Sequence, residues 1–576
     1  MRTLSLARRA AGASAVLLSC ASPALGQAGD SAAREPARPS TAYVGGWAED
    51  RLRLGQLLGE EPTGGFMART LTSSPAPRGV SVVLPDARVV WNSTIPFSLN
   101  QGGMFAGRGS SMRLTGGVRA EAGRFSVSLV PVLIMEGNSS FQLRRYTEDQ
   151  SRHELSSPWH WGIESADLPS RFGRSSRTRL GLGESSVAAA AGPVRMGAST
   201  ESQWWGPGVR NALVMSNNAG GFPHLFLATA RPIRTPLGKV EGRWIVGRLT
   251  ESEYFDTLSN DQRTLAGIVA TLQPAFDPGL TLGLARTVYG SSGSPLRAFD
   301  VLRGGIGHPN AIEESAPPPE PGAPLPGYGR DQILGAFARW VFPAAGLEAY
   351  GEVARTDEPS SLRDLLEEPQ RSQGYTVGLQ WATPTRRDGI FRFQAEATTL
   401  EQTRRYGKRV VSFYSSRVVP QGYTHRGQVL GAAIGPGASS QWVAADLIRP
   451  DWRAGAVASR IRWENDALYR LAPTVNFHSH DVSTVIGARG GRRVRGMDVS
   501  GELLFALRRN YLFQNVATSI DDVDGEDVAN RTFTLAVSPA PRRPAPAPAP
   551  APVPLPAPAA PTAPASAPPA APARLP

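Results

Sequence analysis

From about residue 86 to residue 538 the chain returns repeatedly to strand-length segments in which apolar and polar residues alternate one by one. Tyr375, Val377, Leu379 and Trp381 alternate with Thr376, Gly378 and Gln380, and the next segment sets Phe391, Phe393, Ala395 and Ala397 against Arg392, Gln394, Glu396 and Thr398. Val240, Trp244 and Val246 oppose Lys239, Glu241 and Arg243, and Phe533, Leu535 and Val537 oppose Thr532 and Thr534. A period of two sends successive side chains to opposite faces of a sheet, so each segment reads as a strand with one apolar and one polar face. No stretch beyond the first 26 residues approaches the roughly 18 apolar residues of a membrane-spanning helix. The fold class is therefore all-β. Two architectures satisfy the pattern: a soluble sandwich with its apolar faces inward, or a transmembrane antiparallel β-barrel with its apolar faces on lipid.

The connections favour the barrel. Short turns at Ala122-Gly123, Gly192-Pro193, Asp277-Pro278-Gly279 and Ala345-Gly346 join strand pairs, while long polar connections such as Ser291 to Arg330 and Glu401 to Arg409 separate them. That asymmetry is expected of short periplasmic turns and long outer loops. Trp340, Phe342, Trp381 and Trp463 lie near strand ends, where an interfacial girdle needs aromatics. Segment counting gives roughly 16 to 20 strands, enough to enclose a lumen.

Residues 1–26 read as a secretory signal: Arg2, Arg8 and Arg9, an apolar run from Ala10 to Leu18, and small residues at Ala24-Leu25-Gly26. The single cysteine, Cys20, lies inside it, so cleavage near Gly26 leaves a chain without thiols. In the competing reading, Leu17-Leu18-Ser19-Cys20 is a lipoprotein box with Cys20 acylated. Residues 27–85 form a linker and a short helical segment, in which Leu54, Leu57 and Leu58 share one helix face and Gly59 ends the helix. The barrel is expected over 86–538. Residues 539–576 are almost entirely proline and alanine, a composition that extends as polyproline II and buries no core. This tail reads as a disordered spacer, either without a partner or reaching toward the cell wall.

The formal net charge of +12 is carried mostly by arginine. Export removes nucleic acid as a partner, and leaves anionic glycans or lipopolysaccharide, whose carboxylates and phosphates guanidinium groups engage in bidentate fashion. Arg404, Arg405, Lys408 and Arg409 concentrate such charge in one long connection, where a solvated surface is the plainer explanation.

The densest cluster of recognition chemistry runs from Glu201 to Pro223. Trp204 and Trp205 offer indole faces, Gly206-Pro207-Gly208 turns the chain, and Arg210, Asn211, Ser216, Asn217 and Asn218 supply forked hydrogen-bonding groups suited to hydroxyls and carboxylates. The chemistry suits carbohydrate binding. The same residues also suit interface anchoring or loop packing, with Glu201 bracing the turn through Arg210.

The string Trp204-Trp205-Gly206-Pro207-Gly208, then Asn211, Ser216-Asn217-Asn218 and Phe222-Pro223, resembles the signature segment of the Wzi capsule assembly family. Weaker likeness extends through Asp167-Leu168-Pro169-Ser170-Arg171-Phe172-Gly173, His480-Asp481-Val482-Ser483 and Asn510-Tyr511-Leu512-Phe513. The resemblance implies an outer-membrane barrel of about 18 strands with a small periplasmic helical part, acting as a surface lectin that retains capsular polysaccharide.

Enzyme signatures are missing: there is no Gly-x-Ser-x-Gly elbow, phosphate-binding loop or His-Glu-x-x-His helix. Glu164 with Asp167, or Glu201 with another acid, are the remaining candidates for a glycosidase carboxylate pair. His478-Ser479-His480-Asp481 has a spacing compatible with a metal, but reads better as a polar strand end. The expectation is a non-enzymatic polysaccharide-binding protein of the outer membrane, with no cofactor or metal, in contact with membrane lipid and lipopolysaccharide. The alternative is a channel for polysaccharide or small polar solutes.

Overall fold

The computed structural model describes residues 47–63, 68–69, 79–141, 143, 153–160, 165–257, 261–291, 295–302, 329–356, 363, 366, 372–386, 388–402, 411–416, 418–471, 480–513 and 527–540. The signal segment with Cys20, Glu164, His478, the basic group Arg404 to Arg409 and the Pro/Ala segment beyond residue 540 lie outside them.

The described residues form eighteen antiparallel staves of one closed barrel. They are β1 (Gly79–Asn92), β2 (Gly109–Ala122), β3 (Phe125–Leu129 with Val132–Glu136), β4 (Arg177–Gly181 with Ser186–Ala191), β5 (Val194–Ser199) and β6 (His224–Thr229 with Ile233–Thr235). There follow β7 (Gly238–Thr250), β8 (Gln262–Pro274), β9 (Leu280–Ser291), β10 (Arg330–Phe342), β11 (Leu347–Arg355) and β12 (Gln373–Thr385). The circuit ends with β13 (Gly389–Thr399), β14 (Ser439–Ile448), β15 (Trp452–Arg462), β16 (Val482–Val494), β17 (Met497–Arg509) and β18 (Val528–Pro539). β18 closes on β1, with Phe533 opposite Trp91 and Val537 opposite Ala87.

Exposure decides between the two architectures. Tyr375, Val377, Leu379 and Trp381 are 40–50% exposed, whereas Thr376 and Gln380 between them are at most 2% exposed. Val80, Val82, Leu84, Leu180, Leu225 and Ile486 likewise point outward, and buried Arg392, Gln394 and Glu396 point inward. A surface that is apolar outside and polar inside is stable only where the outside meets lipid, so the sandwich is excluded. Trp340 and Trp381 stand outward near the ends of their staves, Trp340 donating from Nε1 to Asp277 Oδ2 at 2.8 Å. Trp463 departs from the expected girdle. It follows the last residue of β15, turns inward against the core and donates to Ser483 Oγ at 2.8 Å.

β1 begins at Gly79, ahead of the expected start at 86. Pro85 hides this, because its missing N–H argues against a strand and the register with β2 shifts between Val83 and Asp86. The shift returns Ala87, Val89 and Trp91 to the outward face.

Among the described residues the short turns gather at one end, at 122–125, 191–194, 235–238, 274–280, 342–347, 385–389, 448–452 and 494–497, and the long connections at the other. β1 starts and β18 finishes at the short-turn end. The helix α1 (Trp47–Leu57) sits there too, burying Leu54 and Leu57 against Val341, Ala382 and Ile448. Gly59 at φ +76° ends it in the left-handed geometry that glycine adopts without strain. Its polar face enters the lumen: Arg53 pairs with Glu348, Gln56 Oε1 accepts from Arg339 at 2.6 Å, and Asp50 accepts from Arg392 at 2.7 Å.

Candidate functional site

β5 and β6 are short because the chain between them, residues 200–223, leaves the wall and folds into the lumen. Two wall carboxylates hold it. Glu396 on β13 accepts the backbone N–H groups of Val209, Arg210 and Asn211 at 2.6, 3.1 and 2.9 Å. Glu352 on β11 accepts those of Gly208 and Leu213 at 2.7 and 2.9 Å. Hydrogen bonds to an ionised acceptor are the strong kind, and here they satisfy a buried turn that has no ladder partners. The turn requires glycine: Gly206 has φ +117°, and a Cβ there would lie 2.4 Å from Glu352 Oε1.

Around this anchor the inner wall is shaped to receive the loop. Trp205 is fully buried, and a Cβ on Gly267 of β8 would come within 2.8 Å of its ring. Val214 takes the space over Gly335 of β10 in the same way. Above lies a second inward loop, residues 411–438. Its Tyr414 and Tyr423 rings stack 6.0 Å apart and donate to the carbonyls of Leu213 and Val214 at 2.7 and 2.9 Å. Burial raises both phenol pKa values, so the hydroxyls stay protonated as donors.

The structure brings the expected binding residues together, but turns most of them toward the protein. Trp204 packs with Ala212, and Trp205 lies in the main core. Asn211 donates from Nδ2 to Ser440 Oγ at 3.2 Å, and Ser216 from Oγ to the Gly431 carbonyl at 2.6 Å. Asn218 donates to the Val429 carbonyl at 3.0 Å and accepts the Asn100 N–H at 3.2 Å, while the Asn217 carbonyl accepts the Gly102 N–H. Pro207 is buried in the turn. Arg210 differs: it is half-buried, its guanidinium 5.5 Å from the Trp442 ring, and Arg489 lies equally far from that ring. Glu201, expected as its brace, is instead coupled electrostatically to Arg119, Arg195 and Arg243 on the wall.

Other sequence candidates are committed elsewhere. Asp167 is buried and accepts both the N–H and hydroxyl of Ser252, at 2.7 and 2.5 Å. His480 contacts Asn465 Oδ1 at 2.6 Å, and Asp481 takes a two-pronged bond from Arg508 at 2.7 and 2.6 Å.

A family model for the capsule assembly protein Wzi matches residues 88–445, a span that runs from β1 through both inward loops into β14. The chain belongs to the Wzi capsule assembly family. Among solved structures, the Escherichia coli Wzi outer-membrane protein involved in group 1 capsule assembly, described as a carbohydrate-binding β-barrel, is 12% identical at a TM-score of 0.48, over 79% of this chain and 84% of that one. A bacterial polysaccharide outer-membrane secretin is 11% identical at a TM-score of 0.29, over 80% and 99% of the two chains. The outer-membrane channel DcaP of Acinetobacter baumannii is 10% identical at 0.29, over 80% and 97%. No curated protein matches the chain.

In this Wzi-family barrel the residues that sequence reasoning missed are Glu352, Tyr350, Tyr414 and Tyr423. Glu396 was visible as a polar-face residue of its strand, but its role depends on a loop 187 positions away. Alternation marks which side chains enter a lumen, not what meets them there.

Proposed function

We propose that this barrel binds and retains capsular or extracellular polysaccharide at the cell surface without transforming it. The observation that carries the reading is the filled outer half of the lumen. Two loops are locked together and onto the wall through Glu352 and Glu396, an arrangement that suits a fixed platform better than a conduit. Arg210, half-exposed beside Trp442, is the guanidinium–indole pair best disposed to take an acidic sugar, pairing carboxylate recognition with an aromatic face. Trp204, Trp205, Asn211, Ser216, Asn217 and Asn218 then serve by fixing the loop that presents Arg210. Export by the N-terminal signal and contact of the outer rim with lipopolysaccharide belong to the same reading. Individual sites need not be tight: a millimolar site contributes about 4 kcal/mol, and a repeating polymer spanning many barrels multiplies it.

The test is retention of acidic polysaccharide by cells carrying Arg210→Ala or Trp442→Ala in a barrel that still shows heat-modifiable gel migration. Loss of retention with normal assembly is the expected result, and wild-type retention in both variants would sink the assignment. Planar-bilayer recording addresses the channel reading, for which large steady conductance in the wild-type protein would be the signature.

A further inference from the structure

The barrel wall is lowest between β4 and β7. Ser199, the last residue of β5, pairs with Ser186 in the lower part of β4, so the upper segment Arg177–Gly181 rises beyond it. That segment bonds to β3 on one edge and, among the described residues, to no strand on the other. Across the gap the top of β7 is met by a hairpin tip of the second inward loop. The Thr250 N–H donates to His425 Nδ1 at 3.1 Å, and the Arg426 N–H donates to the Thr250 carbonyl at 2.8 Å. Between them lies a notch of about 240 Å³, whose lining includes Arg179, Leu180, Leu182, Thr200, Pro223 and Arg426. Leu180 and Leu182 are 77% and 61% exposed on the outward face, so the notch opens sideways toward lipid, in the half of the wall nearer the long loops.

Arg426 is an unusual occupant of its turn. It has φ +50° and Gly427 follows at φ +80°, the two-residue hairpin geometry that Asn, Asp or Gly fills most easily. A bulky residue held there is strained, and such strain concentrates at functional positions. Its side chain is exposed and makes no hydrogen bond among the described residues. Nearby, Arg177 and Arg179 share one carboxylate, Glu136, at 2.5 and 3.3 Å, while Glu184 is occupied by the N–H and hydroxyl of Ser202 at 2.8 and 2.7 Å. With Arg113, which also lines the notch and is paired with Asp86, these groups leave one more positive than negative charge. Burial, followed by the charges of Arg426, Arg263 and Arg179, holds the His425 imidazole neutral.

We propose that the notch binds the phosphorylated headgroup of an outer-leaflet lipid, with the phosphate on the Arg426 and Arg179 guanidinium groups and the acyl chains along Leu180 and Leu182. A guanidinium matches two phosphate oxygens at once, and a site that opens onto lipid admits a headgroup whose tails remain in the bilayer. The assignment needs only the barrel in its membrane, and stands whether or not polysaccharide is retained at Arg210.

The experiment is native mass spectrometry of the mature barrel in a neutral detergent, with dioleoyl phosphatidic acid, dioleoylglycerol or inorganic phosphate added. Arg426→Gly removes the cation while relieving the backbone, so the fold is kept, as thermal unfolding checks. One phosphatidic acid per barrel is expected, with binding weakened about tenfold in Arg426→Gly and partly restored in Arg426→Lys. Equal binding by wild type and Arg426→Gly would overturn the site, as would dioleoylglycerol binding as well as phosphatidic acid. Inorganic phosphate binding as tightly as the lipid, with the same dependence on Arg426, would overturn the lipid source in favour of a free anion.

Discussion

The two halves of the lumen are closed by different physics. At the short-turn end, α1 is held by ion pairs: Glu348, fully buried, sits between Arg53 and Arg339, and Arg392 between Asp50 and Asp446. At the long-loop end apolar side chains turn inward, with Ile245 and Leu249 on β7, Leu265 and Val269 on β8, and Ile333 on β10. There the inward loops are fixed by packing, by backbone N–H groups on Glu352 and Glu396, and by backbone carbonyls of Gly422 and Thr424 that accept from Arg263 on β8 at 2.7 and 3.0 Å. Lys239, Glu241 and Arg243 precede Ile245 and Leu249 along one face of β7, so the change of chemistry occurs within a single stave. A helix satisfies its own backbone and offers side chains, so charged partners suit it. An irregular loop brings unsatisfied amides into a dry space and needs fixed acceptors.

The largest effect should follow Glu348→Ala, which strands two buried guanidinium groups and costs about 3–5 kcal/mol locally. Amide hydrogen exchange of Leu54 to Leu57 should then accelerate by about two to four orders of magnitude while Gly208 to Leu213 stay protected. Equal acceleration of both segments would break the division of the lumen into two closures. Glu396→Ala should do the reverse, releasing residues 209–211 at a cost of about 2–4 kcal/mol while α1 remains docked. Tyr350 links the halves: its hydroxyl donates to Glu396 at 2.9 Å and Arg53 lies 4.9 Å over its ring. Tyr350→Phe should loosen the upper loop by about 1 kcal/mol and leave Arg53 in place, as read by the same exchange measurement.

The smallest effect is one of pH. Burial raises Asp466 to about 7 and Glu251 to about 8, from 3.8 and 4.5. Between those limits the folded loops hold protons that the unfolded chain has released, so their stability falls as pH rises from about 4 toward 8. Exchange at Gln402 and Gln421, corrected for the intrinsic base-catalysed rate, should therefore be slower at pH 5 than at pH 8. Asp466→Asn should flatten that difference at Gln402, which donates its N–H to Asp466 at 2.9 Å.

How much of this was legible in the sequence depends on distance along the chain. Each stave declares itself within a dozen residues, as the run Tyr375 to Trp381 does, and so do the glycine turns and the helix before Gly59. The plug does not. Trp204 and Trp205 carry the same local signal whether they greet a sugar or fill a lumen, because the deciding partners, Glu352 and Glu396, stand 144 and 187 positions from the turn they hold. Trp463 misled for a related reason: a tryptophan one residue past a stave can belong to the loop. Pro85 concealed the start of β1 because a register shift breaks the parity on which strand reading depends.

The placement of the first and last staves has a practical consequence. β1 starts and β18 finishes at the rim that carries the tight turns, the same rim as α1. A reporter spliced in just ahead of β1 or just after β18 would sit at the short-turn rim, the side expected to face the periplasm in such barrels and so to be shielded from reagents added to intact cells. An epitope for the opposite rim has to be spliced into one of the long connections, and choosing one other than 200–223 or 411–438 avoids the two loops that Glu352, Glu396, Tyr414 and Tyr423 hold together.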